Sequence, residues 1–132
     1  MIVAAMRSPS GASAAILRVA RQGRITLLAS VPLAMEYEAT CSKAEHRLAA
    51  GLNEREAGIF VDAVLAMVEP VTTYFLWRPQ LRDPGDEMVL EAAVNGRAEA
   101  LVTFNVRDFG NAPARFGIEV MTPREAIGRM RK

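Results

Sequence analysis

The chain has 132 residues, of which 51% are apolar, and this suffices for one domain with a hydrophobic core. Its formal net charge is +1, so any contact with nucleic acid must come from local patches rather than from an overall basic surface. The single cysteine, Cys41, excludes an intrachain disulfide framework and is typical of a reducing cytoplasm. The apolar residues 1–5 are too few for a signal peptide or a membrane span. We therefore expect one cytoplasmic domain over residues 1–132, without a membrane segment.

The first half of the chain reads mainly as helix. Residues 24–29 carry short apolar β-formers and predict a strand. Ser30 and Asn53 stand where N-caps are expected, each just before an apolar pattern of helical period. Residues 59, 60, 64 and 65 predict one apolar face on the helix after Asn53, for the core or for a dimer. The predicted helices cover residues 13–22, 31–40, 43–51 and 54–67.

The second half alternates short apolar runs with helical patterns. Residues 68–76 predict a strand followed by a loop over 77–79. A helix over 86–95 and strands over 100–103 and 118–121 follow. Thr122 and Glu125 have capping-box spacing and predict a last helix that ends near residue 130. This alternation is typical of an α/β fold with a mainly parallel sheet and helices on both faces.

Acidic and amide side chains follow several of these strands. Glu36 lies in the helix after the first strand, Asp86 opens the helix of residues 86–95, and Asn105 and Asp108 follow the strand at 100–103. The carboxyl ends of parallel strands share one edge of a sheet, so these side chains are expected there together. Two carboxylates about 4 Å apart repel by roughly 4 kcal/mol at an effective dielectric near 20, which a divalent cation would offset. Mg²⁺ and Mn²⁺ prefer such oxygen ligands.

Each of these residues also has an ordinary structural explanation. Asp83 is a good N-cap, followed by proline, and Asp86 suits the positive end of a helix. Glu36 alone reads as a solvated charge, and Asp108 could cap a turn with Asn105. Thr103 reads as a strand residue whose hydroxyl could orient a carboxylate. Capping and metal binding do not exclude each other.

Several arginines fall in predicted loops near the acidic edge, where guanidinium groups could hold phosphates, or could be ordinary surface charges. They are Arg78, Arg82, Arg107, Arg115 and Arg124. Cys41 and His46 have no further thiol or imidazole near them in sequence, which argues against zinc.

Four blocks of the chain resemble the PIN-domain ribonucleases, in particular the toxin components related to VapC. Residues 33–37 (LAMEY) resemble the family's Glu-Tyr helix. Residues 82–87 (RDPGDE) resemble its Asp-Pro turn, and residues 101–109 (LVTFNVRDF) resemble its Val-Thr element. Residues 120–125 (VMTPRE) resemble its closing strand and helix. The order and spacing of these blocks carry the resemblance, which runs from residue 1 to about residue 125.

The resemblance implies a Rossmann-like α/β/α sandwich with metal-dependent ribonuclease activity. Matching positions assign the ligands of Mg²⁺ or Mn²⁺ to Glu36, Asp86 and Asp108. The same match implies support from Thr103, Asn105 and Asp83, and an RNA strand held by arginine-bearing loops that include Arg82 and Arg107. Family members of this type are typically dimers inhibited by a small antitoxin protein.

The family's first strand and its Asp-Thr-Asn motif have no counterpart here, because Met1 stands just beyond the matching position. We therefore expect weak metal binding, little nuclease activity, and a gap in the sheet that rearrangement or strand exchange in a dimer closes. One alternative is a catalytically weak module that binds an antitoxin or RNA. Another is a flavodoxin-like domain for a phosphorylated ligand, which the lack of a glycine-rich loop disfavours.

Overall fold

The structure is a computed structural model that describes residues 1–73, 81 and 83–130. The strands of this part are β1 (Leu27–Ala29), β2 (Val68–Pro70), β3 (Ala100–Val102) and β4 (Glu119–Met121). Two 3₁₀ helices, Val106–Phe109 and Pro113–Phe116, lie between β3 and β4. The α-helices are α1 (Ile2–Arg7), α2 (Ala12–Arg21), α3 (Val31–Cys41), α4 (Ala44–Ala49), α5 (Glu54–Ala66), α6 (Pro84–Asn95) and α7 (Pro123–Met130).

The strands pair in parallel. β1 pairs with β2, with Leu28 in register with Glu69, and β3 pairs with β4, with Leu101 in register with Val120. Among the described residues, the strands therefore form two small sheets of two strands each. The predicted α/β class with parallel strands is confirmed. Closure of a sheet gap by rearrangement or strand exchange stays a prediction.

The helix starts follow from local capping chemistry. The Ser30 hydroxyl accepts a hydrogen bond from the Leu33 N–H at 3.3 Å, as expected of an N-cap. Asn53 and Glu56 form a complete capping box at the start of α5, with bonds of 2.8 and 3.0 Å. Thr122 and Glu125 form the same motif at the start of α7. All three predicted helix starts are confirmed.

The N-terminal segment forms a helix that sequence analysis did not predict. In α1, Ile2, Ala5 and Met6 are buried at helical spacing. Together they pack with Cys41 of α3 and Val61 of α5 in one hydrophobic cluster. With only six residues, α1 offers too short a pattern for recognition in sequence, and its stability comes from this packing.

Helix α5 turns most of the predicted apolar face to the core, because Val64 is buried and Phe60 and Leu65 are partly buried against the same hydrophobic cluster. Its buried side chains are Ala57, Val61 and Val64, whereas Ile59 is 57% exposed. The small side chain of Ala57 faces inward where α5 packs against α3. Of the two uses expected for this face, the core or a dimer, core packing does not apply to Ile59. Whether the exposed part of α5 forms a dimer face stays a prediction.

Helix α6 connects the two sheets, since it packs against both β1 and β3. On one side Ala92 lies in a cluster with Ala29 and Leu33, and on the other Leu90 packs with Leu101 and Phe109. The helix thereby positions its own N-terminus, which begins at the capping residue Asp83. The site described below is built around that end of the helix.

The predicted strand over residues 68–76 is shorter in the structure. β2 ends at Pro70, residues 71–73 are not in a strand, and residues 74–80 lie outside the described part. A proline within a strand pattern removes a ladder donor, which accounts for the early end. Arg78 and Arg82 also lie outside the described residues. Each helix in residues 1–73, 81 and 83–130 is too short or too polar to span a bilayer.

Candidate active site

The site begins with the N-terminus of α6. The Asp83 side chain caps the helix, with Oδ1 accepting from the Gly85 N–H at 2.7 Å and from the Asp86 N–H at 3.3 Å. Pro84 occupies the first helical position, where no N–H is needed. The predicted N-cap role of Asp83 is confirmed. This arrangement places Asp86 in the first turn, where the helix dipole favours a negative charge.

A second interaction holds the segment that precedes α6. The buried Glu87 accepts a hydrogen bond from the Leu81 N–H at 2.6 Å. Leu81 thereby contacts the helix whose first turn carries Asp86. No role is predicted for Glu87 from the sequence, in which its only signal is its place next to Asp86 in a turn that begins with proline.

The other side of the site comes from the chain after β3. The Thr103 N–H bonds to the Met121 carbonyl oxygen at 2.9 Å, and the Thr103 hydroxyl accepts from the Asn105 N–H at 3.1 Å. The Asp108 N–H then bonds to the Asn105 carbonyl oxygen at 3.0 Å. Thr103 and Asn105 thus shape the turn that carries Asp108.

The 3₁₀ helix Val106–Phe109 is fixed to the core by its last residue. Phe109 is 2% exposed and packs with Leu90 of α6 and Leu101 of β3. Asp108 precedes Phe109 in the chain, so the packing of Phe109 against α6 holds the Asp108 backbone beside that helix.

Asp86 and Asp108 line one cavity of about 500 Å³ between these two segments. We call it the aspartate cavity. Its lining is Leu81, Asp83, Asp86, Arg107, Asp108, Phe109, Gly110, Asn111, Ala112 and Arg115. The sequence predicts no role for residues 110–112, because an irregular turn between two 3₁₀ helices has no periodic pattern. The only signal in the sequence is Gly110 followed by Asn111, a pair typical of a turn.

The electrostatics of the cavity favour a bound cation. Partial burial raises the pKa of Asp86 above its ordinary value, and the negative charges of Asp83 and Asp108 raise it further. The neighbouring negative charges therefore disfavour the ionised form of the Asp86 carboxyl group. A cation placed between Asp86 and Asp108 would reverse this effect by stabilising both charged forms.

The structure does not bring Glu36 into the lining of the aspartate cavity. Glu36 lies in the middle of α3, is exposed, and accepts a hydrogen bond from the Thr40 hydroxyl at 3.4 Å. Thr103 and Asn105 also lie outside the lining, whereas Arg107 is part of it. The predicted Arg82 lies outside the described residues.

The donor chemistry of the cavity suits a hard divalent ion. Mg²⁺ commonly binds through one or two carboxylates and keeps several waters. Asp86 and Asp108 could provide the two carboxylates. Within the described part of the chain, His, Cys, Asp and Glu side chains form no group of three placed to hold a metal. The pair therefore fits an ion that retains water or substrate oxygens as its remaining ligands.

Parallel strands, covering helices and this cavity define an α/β protein with a candidate active site. A family model described as the PIN domain matches residues 1–107, which is most of the chain. The chain therefore belongs to the PIN-domain family, whose members are generally nucleases that use divalent metal ions. Comparison with curated proteins and with solved structures gave no match.

Proposed function

We propose that this chain is a metal-dependent endoribonuclease of the toxin type, related to VapC, that hydrolyses RNA phosphodiester bonds. The proposal rests on one observation: Asp86 and Asp108 line the same cavity, and the negative charge of Asp108 contributes to the raised pKa of Asp86. Family membership supports a nuclease, and the oxygen donors support Mg²⁺ or Mn²⁺ as the ion.

The protein's part in the reaction is positioning and electrostatics. Asp86 and Asp108 would hold the ion, and Asp83 would keep Asp86 in place through the cap at the start of α6. The bound ion would polarise the phosphodiester and lower the pKa of a bound water. Thr103 and Asn105 act at a distance by holding the turn that carries Asp108. A ligand role for Glu36 is part of the proposal. It would require the Glu36 side chain on α3 to reach the ion from outside the cavity lining.

The proposed partners follow from the same assignment. They are an RNA substrate, a small antitoxin protein that inhibits the nuclease, and a second copy of the chain in a homodimer. The cell compartment proposed is the cytoplasm, which suits the single buried thiol of Cys41.

A cleavage assay with matched variants tests the proposal. A mixed RNA substrate is incubated with the protein and Mn²⁺, and products are compared for the wild type, Asp86→Asn and Asp108→Asn. We expect Mn²⁺-dependent cleavage that falls by roughly 10²-fold or more in both variants, because each removes a charge from the ion's site. Asp62→Asn is the control, since Asp62 is an exposed acid on α5 outside the cavity. Cleavage that is equal in all four proteins would contradict the proposal.

A second candidate is a PIN-domain module that binds RNA or an antitoxin but cleaves poorly. The exposure of Glu36 outside the aspartate cavity favours it, because one proposed ligand is then missing from the site. Saturable RNA binding with no Mn²⁺-dependent product would support this candidate over the nuclease.

A further inference from the structure

A second cavity lies where α2 packs against α7, and we call it the α2–α7 pocket. Its volume is about 210 Å³, and among the described residues it shares no lining residue with the aspartate cavity. Four of its lining residues are aliphatic and belong to the hydrophobic cluster around Ile16 or pack against it. They are Ala15, Val19, Ile127 and Met130.

The size and the lining of the α2–α7 pocket suit one apolar side chain. Pockets that enclose a drug-sized molecule measure about 300–1,000 Å³, so a cavity of about 210 Å³ is too small for one. Within the described part of the chain, the lining contains no aromatic side chain on which a nucleic-acid base could stack. An aliphatic side chain such as leucine therefore fits this pocket better than a base does.

Two arginines that line the pocket are held by the main chain. Arg18 donates to the Pro9 carbonyl oxygen at 2.9 Å, and Arg24 donates to the Met130 carbonyl oxygen at 3.2 Å. A guanidinium group has five N–H donors, so each of these exposed arginines keeps donors for a ligand. Because both side chains are already tethered, binding a ligand costs them less conformational entropy.

The charge of the α2–α7 pocket is positive. In residues 1–73, 81 and 83–130, no carboxylate pairs with Arg18 or Arg24, and no acidic residue lines the pocket. By contrast, Arg129 of α7 pairs with Glu119. The two arginines of the pocket therefore complement a negatively charged partner.

We propose that the α2–α7 pocket binds an acidic peptide segment of a partner protein. One aliphatic side chain of the peptide fills the pocket, and flanking carboxylates pair with Arg18 and Arg24. Burial of the aliphatic side chain supplies affinity, whereas the charge pairs set the orientation and the choice of partner. A carboxylate accepts two parallel N–H donors from a guanidinium group, which suits both arginines. This inference does not rest on the proposed function, because the pocket lies apart from Asp86 and Asp108.

A peptide titration tests the inference. The probe is a short fluorescein-labelled peptide with one leucine between two pairs of glutamates, and its anisotropy is followed as protein is added. EDTA is present, so that no divalent ion bridges the peptide to the aspartate cavity. We expect saturable binding that weakens roughly 5- to 10-fold in Arg18→Gln and in Arg24→Gln, because each loses a charge-assisted hydrogen bond. A peptide with alanine in place of leucine should bind roughly tenfold more weakly or worse.

Arg21→Gln is the charge-matched control. Arg21 is exposed on α2 and does not line the pocket, so this variant should bind the peptide nearly as the wild type does. Equal weakening in Arg21→Gln, Arg18→Gln and Arg24→Gln would overturn the inference, since net charge alone would then explain binding. The absence of saturable binding to the wild type would overturn it too.

Ala15→Leu tests the cavity itself. Leucine is a good helix former and would occupy the volume that the peptide's leucine needs, so binding should be lost. Urea unfolding checks that this variant folds. Full peptide affinity in folded Ala15→Leu would contradict the inference, and the arginine variants decide the question if Ala15→Leu does not fold.

Nucleic acid is the alternative occupant that the same titration examines. Unlabelled oligouridine carries phosphates but no aliphatic side chain, and it should not displace the peptide. Displacement by oligouridine that depends on Arg18 and Arg24 would assign the pocket to RNA and overturn the inference. Mn²⁺-dependent RNA cleavage in a protein that does not bind the peptide would overturn this inference and leave the nuclease proposal intact.

Discussion

Asp86 and Asp108 line the same cavity, and the negative charge of Asp108 contributes to the raised pKa of Asp86. The two residues are far apart in the chain and come from different elements, the first turn of α6 and the 3₁₀ helix after β3. Their electrostatic coupling is the property from which the proposed chemistry follows.

The first prediction concerns this coupling. In Asp108→Asn the pKa of Asp86 should fall toward its ordinary value, because a neighbouring negative charge no longer opposes ionisation. Part of the elevation should remain, because burial is its largest cause. A ¹³C NMR titration of the aspartate carboxyl groups measures both, with Asp62→Asn as the control. An unchanged pKa of Asp86 in Asp108→Asn would show that the two carboxyl groups do not interact.

The second prediction separates the structural role of Asp83 from chemistry. Asp83→Ala removes the acceptor for the Gly85 and Asp86 N–H groups and should lower the free energy of unfolding by about 1 kcal/mol. Asp83→Ser keeps a capping oxygen without the charge and should retain most of that stability. Urea denaturation at neutral pH compares the three proteins. Equal losses for alanine and serine would mean that the carboxylate charge, rather than the cap, stabilises this helix end.

The caps show which parts of the structure are readable from the sequence. Ser30, Asn53 and Asp83 were predicted as N-caps because capping depends on residues within one turn. The 3₁₀ helices that complete the cavity were not predicted, since a single turn leaves no period in the sequence. The orientation of Glu36 depends on how α3 packs against other helices, and the local sequence pattern does not determine that packing.

The third prediction concerns the far end of α6, where Gly96 closes the helix against the β1–β2 sheet. A Cβ at residue 96 would lie 2.8 Å from Val71 Cγ2 and 2.9 Å from both Leu28 Cδ1 and the Ala92 carbonyl oxygen. Gly96→Ala should therefore destabilise the fold by about 1–3 kcal/mol, as overpacking does. Thermal or urea unfolding measures the change.

Gly58→Ala is the matched control for this prediction. Gly58 lies inside α5, and a Cβ there would extend into open space without contacting another element. This substitution should stabilise the protein by roughly 0.5–1 kcal/mol, because alanine favours the helix. If Gly96→Ala also proved stabilising, the close approach of α6 to Leu28 and Val71 would be wrong.

The most direct test of the central claim is a Mn²⁺ titration of the wild type, Asp86→Asn, Asp108→Asn and Asp62→Asn, followed by calorimetry at several pH values. We predict saturable binding to the wild type and to Asp62→Asn, and loss of that binding in both cavity variants. Affinity in the wild type should increase as pH rises through the pKa of Asp86, which is raised above its ordinary value, because the ion requires the charged carboxylate. Binding that survives intact in both Asp86→Asn and Asp108→Asn would contradict the claim that these two carboxylates form the metal site.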